Sequence, residues 1–173
     1  MTVYEKIFLF NNLIGNKGVR PLSEDFWEQV GNQSDRIVEE AAETYNAVAD
    51  KDLTELVDGV ADVMVVAIGL YQKLQLCGVD VSDALERVCD NNLTKFHDTP
   101  EYANETVKFY EEEGVAAFVR LTTMEDGDEF YSVIRESDKK LLKPHDFVGV
   151  DLSDIIEMTQ QLSEAVEDEP TEE

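Results

Sequence analysis

Two rows of carboxylates on neighbouring helical segments constrain the fold of this chain more than any other feature. The first row lies within residues 36–43 and the second within residues 55–62; together they consist of Glu39, Glu40, Glu43, Glu55, Asp58 and Asp62. Residues three or four positions apart share one face of a helix, and a short polar stretch at residues 50–52 separates the two segments. We therefore expect an antiparallel helical pair in which the two rows of acids face each other.

Facing rows of like charge are unfavourable unless a cation lies between them, and hard divalent ions prefer oxygen ligands. The pattern therefore indicates a magnesium site and phosphate chemistry. Asp62 is the acid least typical of a solvated surface, because the apolar run 63–70 follows it at once and a helix that is apolar all round is normally buried. Gly59 costs a helix interior about 1 kcal/mol relative to alanine, which indicates close approach of another backbone or of a ligand.

The charge balance limits the classes of partner. The chain has 173 residues, with 39 acidic residues against 14 lysines and arginines and a net charge of −25. This balance argues against nonspecific binding to nucleic acid or to an anionic membrane surface. A phosphate substrate would also be repelled unless metal ions or a few placed basic groups offset the field. Adaptation to high salt and mimicry of nucleic-acid charge stay open as causes of the acidity.

The remaining reactive side chains give little support to other chemistries. The cysteines, Cys77 and Cys89, fit a reducing, cytoplasmic setting, and both are expected to be buried and unreactive. His97 and His145 have no zinc-type spacing, and there is no phosphate-binding glycine loop. No apolar run reaches the roughly 18 to 20 residues that span a bilayer.

The hydrophobic periodicity predicts a mainly α protein with a four-helix core, a small C-terminal β meander and a terminal helix. Helices are expected at residues 2–13, 24–30, 33–49, 52–76, 82–96, 105–113 and 152–166, and strands at 115–121, 130–135 and, weakly, 140–143. The predicted domains are a helical catalytic domain at 1–100, an α+β extension at 101–166 and a disordered acidic tail at 167–173.

The segment Glu-Glu-Ala-Ala-Glu at residues 39–43, followed by an acid pair and an apolar helix, resembles the MazG-like, all-α nucleoside triphosphate pyrophosphohydrolases. That superfamily includes phosphoribosyl-ATP pyrophosphohydrolases and dimeric dUTPases. Residues 58–66, 91–95 and 139–152 look like its phage-encoded branch. The resemblance implies cleavage of a (d)NTP between its α- and β-phosphates to (d)NMP and pyrophosphate, with Mg²⁺, or Mn²⁺ in its place. It also implies a homodimer or homotetramer, located in the host cytoplasm if the chain is phage-encoded.

The resemblance also implies roles for single residues. The metal ligands would be Glu40, Glu43, Asp58 and Asp62, with Glu55 as an outer ligand, and Glu39 would be the general base. The residues that contact the phosphate or sugar would be Asn91, Asn92 and Lys95, and Trp27 would lie beside the nucleobase. The register of the second acid pair is open. The family signature places a glutamate three residues before an aspartate, and Glu55 and Asp58 have this spacing. Alignment on the apolar run instead puts Asp62 at the aspartate position and Gly59 at the glutamate position, so that Asp58 replaces the missing glutamate.

Two hypotheses from other functional classes compete with an enzyme. A non-catalytic acidic protein could use the same helical scaffold to bind a partner, as a mimic of nucleic-acid charge. Retention of every ligand-type residue where two helices are expected to meet favours the enzyme. A calcium-binding module is disfavoured, because no Asp-rich looped pattern is present. The sequence leaves the base, the sugar and the number of phosphates open.

Overall fold

The computed structural model describes residues 1–167 and confirms a mainly α protein. Within that range the helices are α1 (Val3–Leu13), α2 (Glu24–Asp50), α3 (Leu53–Leu76), α4 (Val81–Leu93), α5 (Pro100–Glu112) and α6 (Ser153–Glu167), and the strands are β1 (Ala117–Thr123) and β2 (Glu129–Arg135). The predicted tail at 167–173 lies outside the described residues, apart from Glu167 at the end of α6.

The chain divides into two compact units. The first contains Met1–Ala84 and the C-terminal part of the chain from Leu152, and the second contains Leu85–Asp151. The domain limits predicted from the sequence stay a prediction. No helix in the described part of the chain is long and apolar enough to cross a membrane.

A helical hairpin of α2 and α3 is the centre of the first unit. The α2 helix ends at Lys51, which adopts a left-handed conformation with φ 57°. The next residue, Asp52, caps α3, since its carboxylate accepts hydrogen bonds from the backbone N–H groups of Thr54 (2.9 Å) and Glu55 (3.1 Å). The polar stretch between the acid rows therefore reverses the chain within two residues and starts the second helix.

The two helices lie close together at Gly59. A Cβ atom added there would lie 2.7 Å from the Thr44 hydroxyl and 3.3 Å from the Thr44 Cα. Farther along the hairpin, the Gln33 side-chain amide donates to the Val66 carbonyl at 2.8 Å. These two contacts fix the position of α3 relative to α2 along the helix axes.

Polar side chains hold α1 against α3. The Gln72 amide donates to the Phe8 carbonyl (3.3 Å) and to the Asn12 side chain (3.0 Å). The buried Lys73 ammonium donates to the Asn16 side chain at 3.0 Å, and burial lowers the pKa of Lys73. The Ser163 hydroxyl of α6 donates to the Pro21 carbonyl at 2.6 Å.

The second unit is a helix packed on a β-hairpin. Strands β1 and β2 pair antiparallel from Ala117–Arg135 to Thr123–Glu129. Their buried core consists of Ala103, Ala117, Val133 and Leu142. The hairpin loop contains Gly127 at φ 96°, between the two strands that the sequence predicts.

A ring cluster lies beside this core. His97 is 1% exposed, and neither of its ring nitrogens has a hydrogen-bond partner among the described residues. Its ring lies 4.6 Å from that of Tyr102, whose hydroxyl donates to Asp146. Burial, followed by the charge of His145, lowers the pKa of His97. The neutral imidazole is therefore the form that this core accommodates.

Several sequence predictions are wrong in detail. The two helices predicted at 24–30 and 33–49 are one continuous α2, and the third strand is reduced to a single bridge between Ile134 and Leu141. The helix predicted at 105–113 begins earlier, since Pro100 opens α5, where its missing N–H costs nothing. Cys77 is buried as predicted, whereas Cys89 is exposed. The α3 helix is not buried all round, since Val57 is 63% and Met64 is 57% exposed.

We expect Gly59→Ala to lower the free energy of unfolding by about 1 to 3 kcal/mol, because the new methyl group overlaps Thr44 and forces the helices apart. The matched control is Gly31→Ala on α2, where a Cβ meets nothing within 4 Å. That change should raise the stability by about 0.5 to 1 kcal/mol through helix propensity. Denaturant unfolding measures both, and equal effects of the two substitutions would contradict the close contact.

Candidate active site

Glu40 is the electrostatic centre of the acidic cluster on the hairpin. It is half-buried, and this partial removal from water is the largest cause that raises its pKa. The neighbouring charges raise the pKa further, in the order Asp62, Glu43, Glu39 and Asp58. Two of these acids lie on α2 and two on α3. The two rows therefore act on one another across the hairpin.

The helix contact at Gly59 explains why Glu40 and Asp62 are neighbours. Thr44 lies at the level of Gly59. One turn back along α2 is Glu40, and about one turn forward along the antiparallel α3 is Asp62. The same contact leaves no room at position 59 for a glutamate side chain, whereas Asp58 and Asp62 are both exposed. Asp58 and Asp62 are both among the charges that raise the pKa of Glu40, and the choice of the second acid pair stays a prediction.

Glu55 belongs to a different part of the hairpin. It lines a shallow pocket of about 360 Å³ at the hairpin tip, together with Glu43, Asp50 and Asp52. It is not among the charges that raise the pKa of Glu40. Glu43 thus lies between the tip and the central cluster, and a role for Glu55 as an outer ligand stays a prediction.

The carboxylates fit a hard divalent cation by chemistry but do not form a closed ligand set. Within the described residues, no group of three His, Cys, Asp or Glu side chains is arranged to hold a metal ion. In the same part of the chain, no lysine or arginine lies within ion-pair distance of the five clustered carboxylates, which are Glu39, Glu40, Glu43, Asp58 and Asp62. Their uncompensated charge, gathered on one face of a helical pair, is the donor set that Mg²⁺ and Mn²⁺ prefer. The exposed carboxylate side chains would have to rotate for their oxygens to converge on one ion.

Trp27 and its neighbour Phe26 are near the start of α2. Phe26 is buried, whereas Trp27 is 58% exposed, and their rings meet edge to face at 5.0 Å. The buried Phe26 therefore has a packing role. Trp27 presents an open aromatic surface in the first unit, and its contact with a base stays a prediction.

The residues predicted at phosphate or sugar all lie in the second unit. The Asn91 amide donates to the Val148 carbonyl at 2.8 Å, so this side chain binds the loop around Val148. The Lys95 ammonium donates to the Asn92 side chain and lies 5.9 Å above the ring centre of Phe147. Asn91 thus has a structural partner, while Lys95 keeps an available charge.

Sequence analysis did not single out Thr44, although this residue positions the cluster. Its hydroxyl donates to the Glu40 carbonyl at 2.8 Å, and its backbone contacts Gly59. The only available signal was the mid-helix Gly59, which indicates a close neighbour without identifying it.

The first unit is a helical hairpin that carries a cluster of carboxylates suited to a divalent cation. Residues 20–92 match the model of the phosphoribosyl-ATP pyrophosphohydrolase family. This segment is therefore a domain of the MazG-like, all-α NTP pyrophosphohydrolase superfamily. A search of the curated proteins found no significant match. The family supports a hydrolase with nucleotide pyrophosphohydrolase activity, and its members are typically dependent on divalent metal ions.

We expect Asp62→Asn to lower the pKa of Glu40 towards its ordinary value, because Asp62 is the neighbouring charge that raises it most. The Glu55→Gln substitution removes one negative charge from the same hairpin and should leave the pKa of Glu40 nearly unchanged. Carboxyl-detected NMR titration of both variants measures the shift. Equal shifts in the two variants would contradict the leading effect of the Asp62 charge on Glu40.

Proposed function

We propose that the protein is a magnesium-dependent nucleoside triphosphate pyrophosphohydrolase that converts a (d)NTP to (d)NMP and pyrophosphate in the control of nucleotide pools. The single observation that supports this most is the uncompensated acidic cluster around Glu40. It lies inside the segment that matches a pyrophosphohydrolase family. An acidic mimic would need negative charge anywhere on its surface, whereas this cluster lies where two helices pack.

Glu40, Glu43, Asp58 and Asp62 would hold the metal ions. Bound Mg²⁺ supplies charge neutralisation at the phosphate oxygens and a more acidic water. The raised pKa of Glu40 reflects repulsion that a cation would relieve. Binding of a cation to the folded hairpin should therefore stabilise it as well.

Glu39 is the proposed general base. It is an exposed carboxylate next to Glu40, and its negative charge is one of those that act on Glu40. An exposed carboxylate can accept a proton from water at the moment of attack, provided that it lies within hydrogen-bond reach in the substrate complex. The in-line displacement then needs little more from the chain than correct positioning of the phosphates.

The decisive experiment measures pyrophosphate release from a panel of NTPs and dNTPs, with magnesium and with EDTA. We expect turnover that EDTA abolishes and that falls by at least about 100-fold in Asp62→Asn, since a charged metal ligand is replaced by a neutral isostere. Glu28→Gln is the matched control. It removes one acid from the same helix, several turns from Glu40, and should keep nearly full activity.

A folded wild type that releases no pyrophosphate from any nucleotide, and that binds no magnesium in calorimetry, would contradict the proposal. Partner binding would then account better for its acidic surface. Turnover that survives both EDTA and Asp62→Asn would retain an enzyme but remove the carboxylate cluster from its mechanism.

We also propose that the protein acts as a homodimer or homotetramer. An apolar stripe follows one face of α3 and is open to solvent; it consists of Leu53, Val57, Val60 and Met64. On α2 the large apolar residues Val38, Tyr45 and Val48 are exposed as well. A second copy of the same hairpin would cover these surfaces in a four-helix arrangement.

We expect the double variant Val57→Lys, Met64→Lys to be monomeric and to lose activity, since charges at the centre of an apolar interface are costly to bury. Sedimentation velocity measures the mass. The control variant Leu121→Lys, Val148→Lys changes two exposed apolar residues of the second unit and should keep the mass of the wild type. A monomeric wild type at micromolar concentration would contradict the proposal.

A further inference from the structure

The second unit contains a pocket whose charge is opposite to that of the chain as a whole. It has a volume of about 550 Å³ and is lined by Lys95, Tyr110, Arg135, Lys140, Leu141, Leu142 and Lys143. Four of these seven residues are cationic and none is acidic, in a chain whose acids outnumber its lysines and arginines by 39 to 14. Chance placement of the charges would produce the reverse.

The arginine of this pocket has a structural partner. Arg135 forms a bidentate pair with Asp138 through hydrogen bonds of 2.8 and 2.7 Å, and the hydrogen bonds from Arg135 lower the pKa of Asp138 to about 2. The same carboxylate accepts the backbone N–H of Lys140 at 3.2 Å. The Arg135–Asp138 pair therefore fixes the turn that brings Lys140 to the pocket and adds little net charge.

The three lysines keep their charge available. Within the described residues, none of them lies within ion-pair distance of a carboxylate. The ammonium of Lys143 lies 4.7 Å and that of Lys95 lies 5.9 Å from the centre of the same ring, Phe147. The ring face stabilises both cations without neutralising them. Both ammonium groups therefore lie near one ring that leaves their charge available to an anion.

We propose that this pocket binds an oligophosphate, meaning an anion with at least two phosphate groups, either free or as the phosphate end of a nucleotide. Three lysines offer point charges and N–H donors for several phosphate oxygens. The volume lies within the range of small-molecule sites and exceeds what a single phosphate needs. The apolar wall of Leu141 and Leu142 gives the remainder of the ligand a surface to contact. This binding needs neither the carboxylates of the hairpin nor a metal ion.

Isothermal titration calorimetry of the full chain with pyrophosphate, in EDTA and at fixed salt, tests the proposal. We expect saturable binding in the wild type and a loss of affinity of about tenfold or more in Lys140→Gln, Lys143→Gln, because two charge-assisted contacts are removed. The matched control is Lys108→Gln, Lys139→Gln, which removes two charges from the same unit outside the pocket lining. It should change the affinity by no more than about twofold.

Each outcome decides the proposal. Absence of pyrophosphate binding to the wild type, or equal losses in the two double variants, would overturn it. Given the expected pattern, a second titration with a nucleoside diphosphate identifies the source of the phosphate: tighter binding than pyrophosphate indicates a nucleotide, and equal or weaker binding indicates free pyrophosphate. Because EDTA prevents metal-dependent turnover, this result is independent of whether the hydrolase proposal succeeds.

Discussion

The close approach of α2 and α3 at Gly59 is the contact on which the arrangement of the acidic cluster depends. Because Gly59 has no side chain, Thr44 can lie directly against the α3 backbone. That contact, with the hydrogen bond from Gln33 to the Val66 carbonyl, fixes the level of the helices and brings Glu40 beside Asp62. A shift by one turn, about 5.4 Å, would separate these two carboxylates. The backbone packing therefore sets the electrostatics of the site.

This arrangement has a cost that helix packing must offset. Five carboxylates repel one another on one face of the hairpin, and the raised pKa of Glu40 is the sign of that repulsion. An acidic cluster of this kind opposes folding at neutral pH, since ionised acids near one another destabilise the compact state. The caps at Ser23 and Asp52 and the buried contacts of α1 with α3 act in the opposite direction. Like charges gathered at a helix contact, where they are unfavourable for stability, are typical of a functional site.

Sequence patterns predict the local features of the hairpin well, because the physical causes are local. Asp52 marks the start of α3 and Cys77 its end, as predicted, and the spacing of the acids places them on facing rows. Prediction fails where tertiary packing decides. The break expected between residues 30 and 33 is absent, since α2 continues through Gly31. The weak third strand was reduced to one bridge. The partner of Asn91, 57 residues away along the chain, has no signature in the sequence.

The distribution of charge connects the two proposals. A chain with a net charge of −25 repels every phosphate compound at long range, so a phosphate ligand can be held only where the local field is reversed. Cations bound by the hairpin carboxylates would reverse it in the first unit. In the second unit the lysines around Phe147 reverse it with residues of the chain itself. Exposed cations attract phosphate only within about 10 Å at moderate salt. The basic pocket therefore acts at short range, where geometry and not net charge selects the ligand.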